Sequence, residues 1–214
     1  MTGPTAAPIS SLRELRRVVA ADVAAVVKLK GTAPSLAAVV DVLMLPGTWA
    51  VILFRLASFF HDVGLRPLSR LFYFANVVVF SADLAPGSRV GPGLAIPHPV
   101  FTGWGSGLTM GCNAILTGGV RFGTAAAEDD GRAGQPTIGD DVIFLDGAKV
   151  MGGVHVGDRA VIAANALVLK DVPADAIVVG QPARVTKFRW DRRGASGNRL
   201  SDANAEVAVA DEAT

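Results

Sequence analysis

One histidine and one aspartate have residue types and a spacing that suit acid–base catalysis. His98 stands between Pro97 and Pro99, and Asp83 precedes it by fifteen residues. An imidazole whose Nδ1–H donates to a carboxylate keeps Nε2 free to take a proton from an attacking hydroxyl. The same residues could instead be structural, with the histidine filling a corner of the fold and the aspartate capping a turn. The pair alone leaves both interpretations open.

A six-residue repeat supplies the elements that would position this pair. The repeat is typical of a parallel β-helix, in which three six-residue faces make one coil of about eighteen residues. Because fifteen residues are slightly less than one coil, we expect Asp83 to lie one turn below His98. The aliphatic or small residues that recur at every sixth position are Leu84, Val90, Ile96, Thr102, Leu108, Ala114 and Val120, and then Ile138, Phe144, Val150, Val156, Ile162 and Val168, among which Thr102 and Ala114 fit weakly.

A polar stretch from 120 to 138 interrupts the aliphatic pattern and leaves its phase unchanged. We interpret this stretch as a loop extruded from one coil. Its charged residues, above all Arg132, are candidates to contact an acceptor or a phosphate, although such charge runs are more often solvated.

The first eighty residues carry helical patterns, with helices predicted over 11–30, 35–45, 48–61 and 67–80. Ser11 and Glu14 have the spacing of a capping box, and Gly31 and Gly64 stand where helices end. The predicted fold is therefore α+β: a helical region over 1–80, a left-handed parallel β-helix with one extruded loop over 81–188, and a mobile tail over 189–214.

Composition limits the classes of function. A formal net charge of +1 gives no reason to expect a nucleic-acid partner. The single cysteine excludes an intramolecular disulfide, and the three histidines are too scattered for a three-histidine zinc site, so we expect no metal. The N-terminus lacks the order of a secretory signal, which favours the cytoplasm. The apolar segment 34–60 is split at Pro46-Gly47 and suits a buried or interfacial helix, which leaves peripheral association with the inner membrane face open.

Three segments carry motifs in a characteristic order. The segment 83–98 has an aspartate, a proline three residues later, Val90-Gly91, and a histidine fifteen residues after the aspartate. The segment 46–57 has the pattern Pro-Gly-x-x-Ala-x-x-x-x-Arg-x-Ala, and 162–184 contains Asn165, Lys170 and a closing Gly-Gln-Pro-Ala-Arg. Together these segments resemble the serine acetyltransferase family of hexapeptide-repeat acyltransferases, over most of the chain. The resemblance implies direct acetyl transfer from acetyl-CoA to a hydroxyl, with His98 as general base and Asp83 orienting it.

The resemblance also implies where acetyl-CoA binds. In the family it lies in a groove between neighbouring subunits, beside the later coils. Small residues there would let a pantetheine arm approach the backbone closely, and they suit a coil corner equally well. The flat faces of a β-helix favour a homotrimer, and the helices could join two trimers. The positions that match the family's acetyl-CoA site are Asp146, Gly147, Ala148, Ala164, Asn165 and Lys170.

The chain departs from the family pattern where the family recognises serine. The family's second active-site histidine, in an Arg-His-Pro motif, falls on Gln135, and the acidic residue before its first histidine falls on Pro97. Gln135 is therefore a candidate for a different acceptor contact. Trp104 would either line the acceptor pocket near His98 or pack against a neighbouring subunit. A serine-like metabolite is the first candidate acceptor; a sugar or polysaccharide precursor, and a non-catalytic β-helix binding protein, are the alternatives.

Overall fold

The computed structural model describes residues 6–124 and 133–189. The N-terminal region is helical. The helices are α1 (Leu12–Leu29), α2 (Leu36–Leu43), α3 (Pro46–Asp62) and α4 (Arg66–Phe80). Each of the four predicted helices is confirmed, with ends that differ by at most two residues. The Ser11 hydroxyl accepts a hydrogen bond from the Glu14 backbone N–H at 3.2 Å, as the capping spacing predicted. Pro46 begins α3, because its fixed φ and missing N–H suit the first helical turn.

Short parallel strands follow the helices. They are β1 (Asp83–Leu84), β2 (Arg89–Val90), β3 (Gly103–Trp104), β4 (Thr109–Met110), β5 (Ile115–Leu116), β6 (Arg121–Gly123), β7 (Thr137–Ile138), β8 (Ile143–Phe144), β9 (Lys149–Met151), β10 (His155–Val156), β11 (Val161–Ile162), β12 (Leu167–Val168), β13 (Ala176–Val179) and β14 (Arg184–Phe188).

These strands form three sheets, each of which is one face of a prism. The first face is β1-β3-β6-β9-β12, the second is β2-β4-β7-β10, and the third is β5-β8-β11-β13 with β14 antiparallel at its edge. A bridge between Ala95 and Ile115 extends the third face to the first coil. The parallel β-helix predicted from the six-residue period is therefore confirmed.

The strand register shows two insertions. In the later coils each residue lies opposite the residue eighteen positions later, as Lys149 lies opposite Leu167. In the first coil Arg89 lies opposite Thr109, twenty positions later, and the two extra residues fall in the corner that carries His98. Thr109 in turn lies opposite Thr137, twenty-eight positions later, so ten extra residues separate β6 from β7 and confirm an insertion there. The two extra residues and the ten extra residues together equal two full six-residue repeats. The pattern predicted from sequence therefore matches the inward-facing residues again from Ile138.

Between 102 and 120 the predicted phase was wrong by two positions. Thr102, Leu108, Ala114 and Val120 are buried, but they flank the inward-facing row of side chains. The two extra residues in the first coil cause this shift, which explains why Thr102 and Ala114 fitted the repeat weakly. The inward-facing residues of this part of the prism are Trp104, Met110, Leu116 and Phe122, each at most 4% exposed.

A buried ion pair attaches the helices to the first coil. The Arg55 side chain donates to both carboxylate oxygens of Asp22, at 2.8 and 3.1 Å, and to the backbone carbonyls of Val90 and Gly91, both at 2.6 Å. Asp22 Oδ1 also accepts from the backbone N–H groups of residues 93 and 94, at 2.8 and 2.9 Å. Buried charges are tolerated only when such bonds replace water. This cluster, the Asp22–Arg55 knot, fixes α1 and α3 on the coil that leads to His98.

The start of α3 also packs closely against that coil. A Cβ atom at Gly47 would overlap the backbone carbonyl of Ile96, so only glycine fits there. Across residues 6–124 and 133–189, no single helix is long and apolar enough to cross a membrane, whereas α2 and α3 together, bent by 82°, pass on length and composition.

Candidate functional site

His98 lies at the corner between the third and first faces. Its backbone N–H donates to the Thr117 carbonyl at 3.0 Å, and the residue pairs in register with Gly118. The side chain is exposed, and no hydrogen bond to its imidazole is found within the part of the chain that the structure describes. The imidazole is therefore open to a ligand.

Three further residues stack on His98 along the same corner. The register of β5, β8 and β11 places Gly118, Asp146 and Ala164 in one row after His98. The Gly118 carbonyl accepts from Gly147 N–H at 2.8 Å, and the Asp146 carbonyl accepts from Asn165 N–H at 2.8 Å. We call His98, Gly118, Asp146 and Ala164 the corner column. With neighbouring strands about 4.8 Å apart, the column is about 14 Å long.

Most of the residues predicted to bind the cofactor lie on or beside the corner column that contains His98. Asp146, Ala164 and Asn165 are exposed on it or beside it, and Gly147 is half-buried. Gly147 has a φ of 72°, and a Cβ there would overlap the Asn165 side chain, so the corner itself requires glycine at this position. Ala148 is fully buried, and its N–H and carbonyl bond to Leu145 and Arg121. The structure therefore corrects the prediction that Ala148 contacts the cofactor, since its side chain faces the interior.

Asp83 lies on the first face and is engaged by other side chains. Its Oδ1 accepts a hydrogen bond from the Tyr73 hydroxyl at 2.6 Å, and its Oδ2 lies 4.0 Å from an Arg121 guanidinium nitrogen. The hydrogen bond to Asp83, together with burial, raises the pKa of Tyr73 to about 12. No hydrogen bond joins Asp83 to His98 among the described residues, so the orienting role of Asp83 stays a prediction.

Gln135 and Lys170 lie at a different corner, between the first and second faces. Gln135 precedes β7 and covers Gly105 and Gly107, with its Cγ 3.2 Å from where a Gly107 Cβ would stand. Its Oε1 is buried, and no hydrogen-bond partner for it is found among residues 6–124 and 133–189. Lys170 follows β12 and is exposed. Within one chain the first face therefore separates both residues from His98, and Arg132 lies outside the described residues.

Trp104 is an interior residue. It is 3% exposed, and its indole N–H donates to the Ser88 hydroxyl at 2.9 Å. Its ring packs edge-to-face against Phe54 and Phe122, with centroids 5.2 and 6.3 Å away. The prediction that Trp104 lines an acceptor pocket or contacts a neighbouring subunit was wrong, because the longer first coil turns this position inward.

Sequence reasoning missed Tyr73, Arg121 and Gly118. Tyr73 is the single tyrosine of the chain, and its contact with Asp83 depends on how α4 docks on β1, which no local pattern encodes. Arg121 belongs to the outward row that runs from Asp83 through Gly103. A repeat alignment that allowed two extra residues in the first coil would have placed Arg121 in that row and Gly118 opposite His98.

The prism and its corner column are those of a hexapeptide-repeat transferase. A family model described as bacterial transferase hexapeptide, six repeats, matches residues 135–170. Within residues 6–124 and 133–189, no group of three or more histidine, cysteine, aspartate or glutamate side chains could hold a metal ion.

Named relatives identify the family more closely. The serine acetyltransferase of Helicobacter pylori strain 26695 is 34% identical over 148 residues, which cover 69% of this chain and 85% of the relative. That of Synechococcus elongatus is 31% identical over 140 residues, and this chain spans 57% of its length. The Brucella abortus serine acetyltransferase in complex with coenzyme A matches with a TM-score of 0.73 and 29% identity, covering 83% of this chain and 69% of that one. The chain belongs to the serine acetyltransferase family.

Proposed function

We propose that the protein transfers an acetyl group from acetyl-CoA to the hydroxyl of a small, serine-like metabolite. The observation that carries the proposal is the exposed His98 imidazole at the end of the corner column, in a chain of the serine acetyltransferase family. The imidazole takes the hydroxyl proton while the oxygen attacks the thioester carbonyl. The new C–O bond forms, the C–S bond breaks, and the departing CoA sulfur takes the proton back from the imidazolium.

The corner column suits the pantetheine arm of acetyl-CoA. Gly118 and Ala164, on either side of Asp146, leave the backbone of this strip of about 14 Å open at two positions, and extended ligands bind where a backbone can be approached closely. Ala164 and the Asn165 amide are exposed along the strip and would hold the arm. The Brucella relative was solved in complex with coenzyme A, which supports coenzyme A as the ligand of this family.

The same proposal includes a homotrimer whose active site is shared between subunits. Gln135 and Lys170 lie across the first face from His98, so a neighbouring copy is needed to bring them to it. Val100 and Phe101, next to His98, are 51% and 72% exposed, as expected of apolar residues that a second subunit covers. On α4, Leu71, Phe74 and Val78 are also exposed and would serve contacts between helical regions, such as those of a dimer of trimers. The proposal also includes a cytoplasmic location.

The test is release of free CoA from acetyl-CoA with serine, homoserine and simple sugars as acceptors. We expect release that depends on an acceptor, and a fall of about 10²- to 10⁴-fold in His98→Ala, the range associated with loss of a general base. His155→Ala is the matched control, because His155 is also exposed but lies on the second face. Equal rates in wild type and His98→Ala would contradict the proposal, and preference for a sugar would assign the alternative acceptor class.

A further inference from the structure

Asp83 lies on the turn of backbone next to the one that carries His98. Its N–H donates to the Thr102 carbonyl at 2.9 Å, and the Thr102 N–H donates to the Pro99 carbonyl at 3.0 Å, which closes the turn after His98. Asp83 lies opposite Gly103 in register, so the neighbouring coil contributes no side chain at that position. The first coil thus places Asp83 where the family resemblance requires the carboxylate that orients His98.

Tyr73 on α4 holds one oxygen of this carboxylate. Its hydroxyl donates to Asp83 Oδ1 at 2.6 Å, whereas no hydrogen bond to Oδ2 is found among residues 6–124 and 133–189. Oδ2 lies 4.0 Å from an Arg121 nitrogen, beyond hydrogen-bond distance. The raised pKa of Tyr73, about 12, keeps the phenol protonated and able to donate at neutral pH. A carboxylate held in this way still has the lone pairs of its second oxygen free to accept from an imidazole.

Other contacts already fix α4 against its neighbours. Asn76 is buried and donates to a backbone carbonyl of α3 at 3.0 Å. Phe72 stacks on Phe60 of α3, with ring centroids 5.4 Å apart. The half-buried Tyr73 therefore adds a polar contact at Asp83 to a helix that is docked by these groups.

We propose that Tyr73 is a positioning residue that acts through Asp83. Its O–H fixes the carboxylate so that Oδ2 accepts Nδ1–H of His98, which keeps Nε2 as the proton acceptor. The phenol retains its own proton throughout. The inference rests on the proposed function, because it takes His98 as the base and Asp83 as its partner, and it makes α4 part of the active site.

The direct test is the tautomer of His98, measured by ¹⁵N NMR of protein labelled only at histidine. The chain has three histidines, so His98→Ala assigns the signals. We expect a predominant Nδ1–H tautomer in wild type and a shift toward Nε2–H in Tyr73→Phe, which keeps the ring and removes the donor. A shift in Arg121→Met with none in Tyr73→Phe would overturn the proposal and assign the orientation of Asp83 to Arg121.

Arg89→Met is the matched control for the attachment of the helices. Arg89 also joins the first coil to a helix, with a guanidinium nitrogen 2.9 Å from an Asp62 oxygen, but it lies on the second face. We expect this variant to keep the wild-type tautomer and activity. Equal shifts in Arg89→Met and Tyr73→Phe would overturn the proposal, because they would show a general effect of helix docking.

The chain has one tyrosine, so biosynthetic replacement of tyrosine by 3,5-difluorotyrosine changes Tyr73 alone. Fluorine lowers the pKa of the phenol, and the phenolate cannot donate to Asp83. The ionisable side chains that act on the phenol or line its pocket of about 350 Å³ are the same in both proteins: Asp83, Arg121, His61, Arg66 and Arg70. We expect kcat of the fluorinated protein to fall with the midpoint at which phenolate absorbance appears, at a pH where the unmodified protein keeps its kcat. A kcat that stays constant through this midpoint would overturn the proposal.

Kinetics separate positioning from ligand binding. We expect Tyr73→Phe to lower kcat per folded molecule by roughly 10-fold, less than loss of the base itself, with the KM for acetyl-CoA unchanged. A raised KM with normal kcat would overturn the proposal in favour of a ligand contact. Full activity of His98→Ala would instead reject the proposed function, whereas an inactive His98→Ala beside a fully active Tyr73→Phe would reject this inference alone.

Discussion

Polar side chains are buried and hydrogen-bonded in the Asp22–Arg55 knot, whereas in the corner column they are exposed. In the knot the arginine and aspartate side chains are 2% and 5% exposed, and each bonds both to the other and to the backbone of the first coil. In the corner column His98 and Asp146 are exposed, and the structure gives their side chains no partner within the residues it describes. The charges of the knot are satisfied inside the chain, whereas the side chains of His98 and Asp146 are left available to ligands.

Gly103 and Gly118 each leave a gap where another residue would carry a Cβ, and the surroundings of these two gaps differ. At Gly103 the gap is filled, because an Arg121 nitrogen lies 2.7 Å from where a Cβ would stand. At Gly118 the nearest atoms to such a Cβ are Asp146 Oδ1, at 3.0 Å, and His98 Cβ, at 3.2 Å. The first gap belongs to the packing of the first face, and the second adjoins the proposed reactive centre.

Breaking the knot should have the largest effect on stability. Arg55→Met leaves the Asp22 carboxylate buried without its counter-charge, so we expect the free energy of unfolding to fall by about 3–5 kcal/mol. Urea denaturation measures this change. The matched control is Arg159→Ala, because Arg159 also forms a two-point ion pair, at 2.6 and 2.7 Å from Asp175, but is exposed. Its loss should cost less than about 1 kcal/mol. Equal costs in the two variants would show that burial does not distinguish the pairs.

Trp104→Ala tests the correction from substrate contact to interior residue. Removal of the indole should lower the free energy of unfolding by about 3 kcal/mol, as for a large side chain lost from a core. Activity per folded molecule should change little, because the ring lies within the prism. Thermal denaturation beside the CoA-release assay measures both quantities. A raised KM for the acceptor without loss of stability would restore the original prediction.

The smallest effect concerns Tyr73, whose phenol can be titrated alone because the chain has one tyrosine. We expect the ultraviolet absorbance of phenolate to appear with a midpoint near the raised pKa of about 12. In Asp83→Asn the midpoint should move toward the ordinary value of about 10. The folded state favours the neutral phenol, so the stability that this contact adds is present below pH 10 and is lost as the pH rises toward 12. An unchanged midpoint in Asp83→Asn would contradict the contact.

The features that sequence predicted well depend on local signals or on period alone. Ser11 and Pro46 mark helix starts by their own chemistry, so the helix ends were predicted within two residues. The family resemblance assigned Asp146 and Ala164 to one site, and the regular eighteen-residue register of their coils places both at one corner. Trp104 was misassigned because the two inserted residues change which side chains face inward, although the six-residue period continues after them. Gln135 and Lys170 were assigned to the same site as His98, and only the folding of the coils shows that they occupy another corner.

The central claim is that the corner column serves catalysis and the knot serves the fold. Measuring CoA release and the free energy of unfolding on the same preparations of wild type, His98→Ala and Arg55→Met tests it most directly. The account predicts that His98→Ala loses acceptor-dependent CoA release while its unfolding free energy stays within about 0.5 kcal/mol of wild type, as for an exposed substitution. It also predicts that Arg55→Met, of the two variants, has the lower free energy of unfolding. A stable His98→Ala that releases CoA at the wild-type rate would contradict it.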